Sequence, residues 1–263
     1  MLSTLRNLTA VGAALGTMFV ATAAQAQDKG SFGEQGQFVF GADRLFSAFS
    51  YTSNIYAFPG VNGNTTVNGT AMGLLWGGSG VGGGTPNGNA FVAGNPNFYS
   101  PPRVGFDYVV IPHLTLGGEL YAWFTPGQNY TTPTGNGTST TNPNSTGSAF
   151  GIAPRVGYIV GVSDVLSLWL RGGFSYYLSN WSSNGTLPNG CSVTASIDAF
   201  GLDLDPQLVI SPVNHFAFTV GPALDWGFLG GWSANANSCN GTTQSGNYNA
   251  VSFGINGGLL GWF

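Results

Sequence analysis

The sequence predicts an all-β protein, a closed antiparallel transmembrane β-barrel of about eight strands with long loops at one end and short turns at the other. Three observations lead there. Only 6% of the 263 residues are charged, while 14% are aromatic and 43 are glycine; a water-soluble globule usually carries about a quarter charged residues. Apolar and polar residues alternate through several stretches, the period of a strand with one oily and one polar face. After the first 26 residues no run of about 20 apolar residues offers a membrane helix, and a closed barrel is the other structure that pairs all its backbone groups inside hydrocarbon.

The N-terminus comes first. Arg6, the apolar and small-residue run Leu8 to Ala24, and the triplet Ala24-Gln25-Ala26 form an export-signal pattern over residues 1–26. Residues 27–263 are then one β domain, and no cysteine follows the cut to take a lipid anchor. The first strand runs from Gln37 to Tyr51, with Phe38, Phe40, Ala42 and Phe46 on one face and Gly41 and Asp43 on the other. Arg44 falls on the oily face in strict phase, which requires a bulge or an interfacial position.

Three hairpins follow. In the first, Val104, Phe106, Tyr108 and Val110 alternate with Arg103, Gly105 and Asp107. The chain turns at Ile111-Pro112-His113 and returns with Leu114, Leu116, Leu120, Ala122 and Phe124 opposite Thr115, Glu119 and Tyr121. The second runs from about Phe150 to Leu178 around Val162-Ser163-Asp164, with Arg155, Gly157, Trp169, Arg171 and Gly173 inward. The third runs from about Ala199 to Phe228 around Pro212-Val213-Asn214-His215, with Asp203, Asp205, Gln207, Thr219 and Asp225 inward. Pro102, Pro154 and Pro206 introduce the three units at identical spacing. Such prolines cost ladder hydrogen bonds, as does Pro222, unless they lie near a membrane rim.

The last strand, Val251 to Phe263, sets Val251, Phe253, Ile255, Leu259 and Phe263 against Ser252, Gly254 and Asn256. Two terminal strands and three hairpins make eight. The long connections fall at about 53–101, 125–148, 179–198 and 229–250. The first carries the apolar piece Ala71 to Trp76, which allows an extra hairpin and a count of ten.

The chain ends on an aromatic residue, Phe263, with alternating apolar positions behind it. With the export signal, the even strand count and the asymmetry of loops and turns, it resembles small outer-membrane β-barrel proteins of the OmpA membrane domain and OmpX type. The likeness is architectural; Gly261 stands where such chains usually place a bulky residue, and no peptidoglycan-binding domain follows. It implies the outer membrane of a Gram-negative bacterium, short turns and both termini in the periplasm, and Phe263 as an assembly signal for the barrel assembly machinery. Outer-membrane lipid and lipopolysaccharide are then the surroundings. The acidic balance, formally −4, argues against nucleic acid.

Four sets of residues could carry chemistry. Cys191 and Cys239 lie in two outer loops and, in an oxidising compartment, are expected to form a structural disulfide. Arg103, Arg155 and Arg171 face Asp107, Glu119, Asp203, Asp205 and Asp225 across the lumen, either as a structural ion-pair network or as the lining of a narrow gated pore, because isolated buried ions are very costly. His113 and His215 are the two histidines and both fall in short turns, which leaves no general base at the outer rim; no catalysis, metal or cofactor is expected. Trp123, Tyr121, Tyr176, Tyr177, Trp181, Trp226, Trp232 and Trp262 are expected to form membrane-interface girdles. The Gly-rich run Gly77 to Gly84 lacks the Lys and Ser/Thr of a phosphate loop. Two functions are consistent with this pattern: a surface-interaction scaffold or a low-conductance channel.

Overall fold

Alternation of side chains along extended backbone, repeated with short turns, gives a molecule made of strands. The computed structural model describes residues 31–57, 64–73, 102–125, 130–134, 138–142, 146–183, 193–235 and 243–263; the expected signal, Cys191 and Cys239 lie outside them, as do the side chains of Trp123 and Trp181. The strands are β1 (Phe38–Ala57), β2 (Asn64–Gly73), β3 (Arg103–Ile111), β4 (Leu114–Thr125), β5 (Tyr130–Thr134), β6 (Thr138–Asn142), β7 (Thr146–Ser163), β8 (Leu166–Ser183), β9 (Val193–Leu204), β10 (Gln207–Val213), β11 (Phe216–Asn235) and β12 (Thr243–Trp262). Pairing runs β1, β3, β4, β7, β8, then β9 and β10 in a single position, then β11 and β12, which returns to β1. The result is a closed antiparallel ring of eight strands.

Strands β9 and β10 share one ring position because Asp205-Pro206 interrupts a single strand without changing its register against β8 or β11. That register sets Pro206 opposite Pro222 of β11, so two residues without an N–H share one gap in the ladder. Pro154 likewise interrupts the β7–β8 ladder between Ile152 and Arg155. These prolines sit beside Arg155 and Asp205 at mid-barrel, and not at the rim.

The short end is made of two-residue turns at Pro112-His113, Asp164-Val165 and Asn214-His215. His113 and His215 close their turns at φ 71° and 68°, a left-handed conformation in which His, Asn and Asp are enriched among residues with a Cβ. Beneath this end the segment 31–37 crosses the bore. Gly36 N donates to Val109 O, Val109 N to Gln37 O and His113 N to Gly33 O, each at 2.9 Å, and Phe32 packs its ring on Trp169 and Trp262.

At the long end the strands outrun the expectation. β1 continues to Ala57, β12 begins at Thr243, and each has 20 residues, whereas about ten tilted residues cross hydrocarbon. The barrel wall therefore rises well beyond a membrane's thickness. β2 pairs the outer half of β1 and β3 the inner half; in place of the extra hairpin allowed at Ala71 to Trp76, the described residues of the first long connection hold this one strand, which folds back on β1 and leaves the ring at eight. A separate hairpin, β5 with β6, occupies the second connection.

The two faces of the wall are opposite in character. Outward lie exposed apolar side chains from every strand of the ring, Phe106 at 45%, Leu116 at 50%, Phe174 at 51% and Phe253 at 46% among them. Inward, three layers follow one another. Val39, Val109, Ile159, Trp169, Val209, Ala217, Leu260 and Trp262 fill the turn end. Charged and amide side chains fill the middle. Tyr56, Tyr121, Tyr177, Ile197, Trp232 and Tyr248, with four alanines, fill the outer end.

This corrects the girdle expectation for four residues. Tyr121, Tyr177, Trp232 and Trp262 are buried in the bore; Tyr176 and Trp226 do face outward. Tyr121 and Tyr177 share the inward phase of Glu119 and Arg171. Trp226 and Trp232 differ because a bulge between Gly227 and Leu229 reverses the phase of β11.

Candidate functional site: the ion-pair layer of the lumen

A barrel of eight strands has a bore just wide enough to be filled by side chains, and each ring position here contributes at least one polar group to its middle. Arg44 enters by a local device. The register of β1 shifts between Ala42 and Phe46, and Arg44 takes φ 57°, so that Asp43 and Arg44 both turn inward and are buried. Of the bulge and the interfacial position that the sequence left open for Arg44, the bulge is the one found, and among the described residues the oily face carries no lysine or arginine.

The arginines cross-link the carboxylates. Arg44 lies 2.6 Å from Asp225 and 3.4 Å from Asp203. Arg103 lies 3.0 Å from both Glu119 and Asp225 and also contacts Asp203. Arg155 meets Asp107 at 2.6 Å and Asp43 at 3.2 Å and contacts Glu119. Arg171 donates from both terminal nitrogens to Asp43, at 3.0 and 3.1 Å, and contacts Asp205. Gln207 carries the chain from Asp205 to Asn256 on β12. Each guanidinium thus serves more than one carboxylate, an arrangement its fixed fork of donors suits.

Aromatic rings hold the flat cations from above and below. Arg103 lies 4.9 Å from the Tyr121 ring centroid, and Arg171 and Arg155 lie 4.6 and 5.4 Å from that of Trp169. Two glycines make room for these rings. A Cβ on Gly151 would fall 1.9 Å from Cζ of Tyr121, and one on Gly157 would fall 2.4 Å from both Trp169 Nε1 and Thr115 Oγ1, atoms joined by a 3.2 Å hydrogen bond.

All eight charged residues expected in the lumen are there. Sequence reasoning missed Asp43 and Arg44 as members and Gln207 and Asn256 as its extension. The signal for Arg44 was the misfit itself, a lone cation out of phase on an otherwise uncharged face. Carboxylate oxygens of Asp43, Glu119 and Asp205 come within 4.8 Å of one another, spacing that could hold a metal ion. Here Arg155 and Arg171 stand against these same oxygens and supply the positive charge.

The histidines lie at the opposite end from the long loops. His215 Nδ1 is 2.9 Å from Trp262 O, and its ring stacks on Phe263. Phe263 and Phe38 exchange two 3.0 Å backbone hydrogen bonds, so the last residue helps to close β12 onto β1.

No protein-family profile and no curated protein matches the chain. Solved structures do resemble it: the outer membrane protease OmpT from Escherichia coli, 9% identical over 86% of this chain and 97% of that one with a TM-score of 0.44; Ail, the attachment invasion locus protein of Yersinia pestis, 8% identical over 86% and 99% with a TM-score of 0.33; and the P. putida toluene transporter TodX, 12% identical over 84% and 57% with a TM-score of 0.30. The chain is similar to these outer-membrane β-barrel proteins. The fold itself stands on the closed ring of strands.

Proposed function

We propose that the chain is an integral outer-membrane barrel that acts as a closed scaffold, holding its long polar loops at the cell surface for contact with other surfaces. The apolar outward face meets lipid, and the short turns and both termini lie in the periplasm. The observation that carries this reading is the filled bore: among the described residues an apolar layer, an ion-pair layer and an aromatic layer succeed one another from the turn end to the loop end. In this reading Arg103, Arg155, Arg171 and their carboxylates are structural, and Phe263 also serves barrel assembly. It is a non-catalytic reading, since both histidines belong to turns far from the loops.

A narrow channel would need ions to pass all three layers, and moving any one arginine takes a partner from at least two buried carboxylates, a large penalty in a bore shut off from water. The test is conductance. Refolded full-length protein in a planar bilayer is expected to give no reproducible current steps. Steps that recur with wild-type protein and change with Arg155→Ala would replace the scaffold by the channel. The loops are tested separately: replacing residues 126–145 by a short turn should reduce attachment of expressing cells to surfaces, and unchanged attachment would remove that part of the proposal.

A further inference from the structure

A second concave feature lies on the other side of the wall. Hydroxyl and amide side chains of β7, β8, β9 and β11, among them Ser148, Asn180, Ser182, Ser196, Ser233 and Asn235, line an open cavity of about 520 Å³. Their neighbours Ala149, Ile197, Trp232 and Ala234 belong to the aromatic layer of the bore. Strand alternation therefore turns this polar set outward.

Its position is informative. Phe150 pairs with Leu178, and one outward step further along the same strands Ser148 pairs with Asn180. Phe150 and Leu178 are exposed apolar residues, so the oily face gives way directly to the groove. An amphiphile standing in the outer leaflet would set its chains on the first and its headgroup in the second.

The lining selects the headgroup. Ser196 Oγ and Ser233 Oγ lie 2.7 Å apart, and either can donate. Asn235 Oδ1 is shielded from water and accepts no hydrogen bond. The nearby charged side chain, Asp198, which pairs with Leu178 and Gly231, is also an acceptor. Lysine and arginine occur in the chain at Arg6, Lys29 and the four positions in the bore, so among the described residues no cation stands by to meet a phosphate. Sugar hydroxyls, which both donate and accept, suit such a wall, and the volume lies within the range of small-ligand sites.

We infer that this groove binds the uncharged sugar headgroup of a glycolipid whose acyl chains lie along the apolar face. The inference rests on the membrane placement proposed above. The probe is phosphatidylcholine vesicles carrying a digalactosyl diacylglycerol, or phosphatidylglycerol as an anionic control, with the lipid retained per barrel counted by native mass spectrometry. Wild-type protein should retain the digalactosyl lipid about tenfold over phosphatidylcholine and should not enrich phosphatidylglycerol. Ser196→Val with Ser233→Val should remove most of that preference while the heat-dependent gel shift stays intact, as expected for outward positions. Equal retention of all lipids by a barrel that shows the gel shift would overturn the glycolipid site alone. Retention in the double variant would do the same, as would soluble digalactose displacing the lipid completely, which would make the ligand a free sugar. A wild-type chain that shows no gel shift and does not enter vesicles would overturn the membrane placement, and the site with it.

Discussion

Arg103 touches three carboxylates, those of Glu119, Asp203 and Asp225, and is shut off from solvent. Asp203 and Asp225 are direct cross-strand partners on β9 and β11, where like charges repel, and Arg44 and Arg103 straddle both. Arg103→Ala removes one cation from this group and leaves the carboxylates buried, so a loss of about 3–5 kcal/mol is expected in urea unfolding of the vesicle-inserted protein. Adding Asp203→Asn should recover part of that loss, because the excess negative charge is smaller; equal stability of the single and double variants would refute the charge argument. A packing prediction belongs to the same scale. Gly151→Val places new atoms where the Tyr121 ring lies, and overpacking of this kind costs about 1–3 kcal/mol, read as a lower unfolding midpoint. At this scale the sequence was legible wherever alternation is strict, as at Arg155 and Glu119. It was not where one residue changes the phase: the inward turn of Arg44 depends on a positive φ, which a non-glycine residue does not announce.

Among elements, the hairpins with two-residue turns were the most legible, because a tight turn fixes the register of both its strands. The outer halves of the strands were the least. There the polar composition of Thr, Ser, Asn and Gly matches loops, and what makes it strand is continuation of a ladder already started below. The girdle error has a related cause: an aromatic near a strand end is compatible with either face until its phase is known, and the bulge after Gly227 hides the phase of Trp232. These extended strands bear on the cysteines. Asn235 pairs with Thr194 at adjacent outer ends of β11 and β9, and Cys239 and Cys191 lie only a few residues further along. The expected disulfide is thus compatible with chain reach. Oxidised protein should show a cross-link between the peptides holding Cys191 and Cys239, lost on reduction; two alkylatable thiols in freshly exported protein would refute it.

For the molecule as a whole, closure of β12 onto β1 is the property to test. A closed ring resists detergent until heated, so unboiled samples should migrate differently from boiled ones, and Phe263→Ser, which keeps the backbone pair with Phe38 but removes the ring that packs on Phe40 and His215 beside it, should lower the temperature at which the forms interconvert. Closure also decides which bonds proteases can reach. Trypsin cuts after lysine and arginine, and in this chain the sites beyond Lys29 are Arg44, Arg103, Arg155 and Arg171, every one of them sealed in the bore. The long loops, however accessible, contain no cleavable bond of this type. Shaving intact cells with trypsin should therefore leave the surface of this protein untouched, while a chain whose ring has opened falls into fragments at four internal sites.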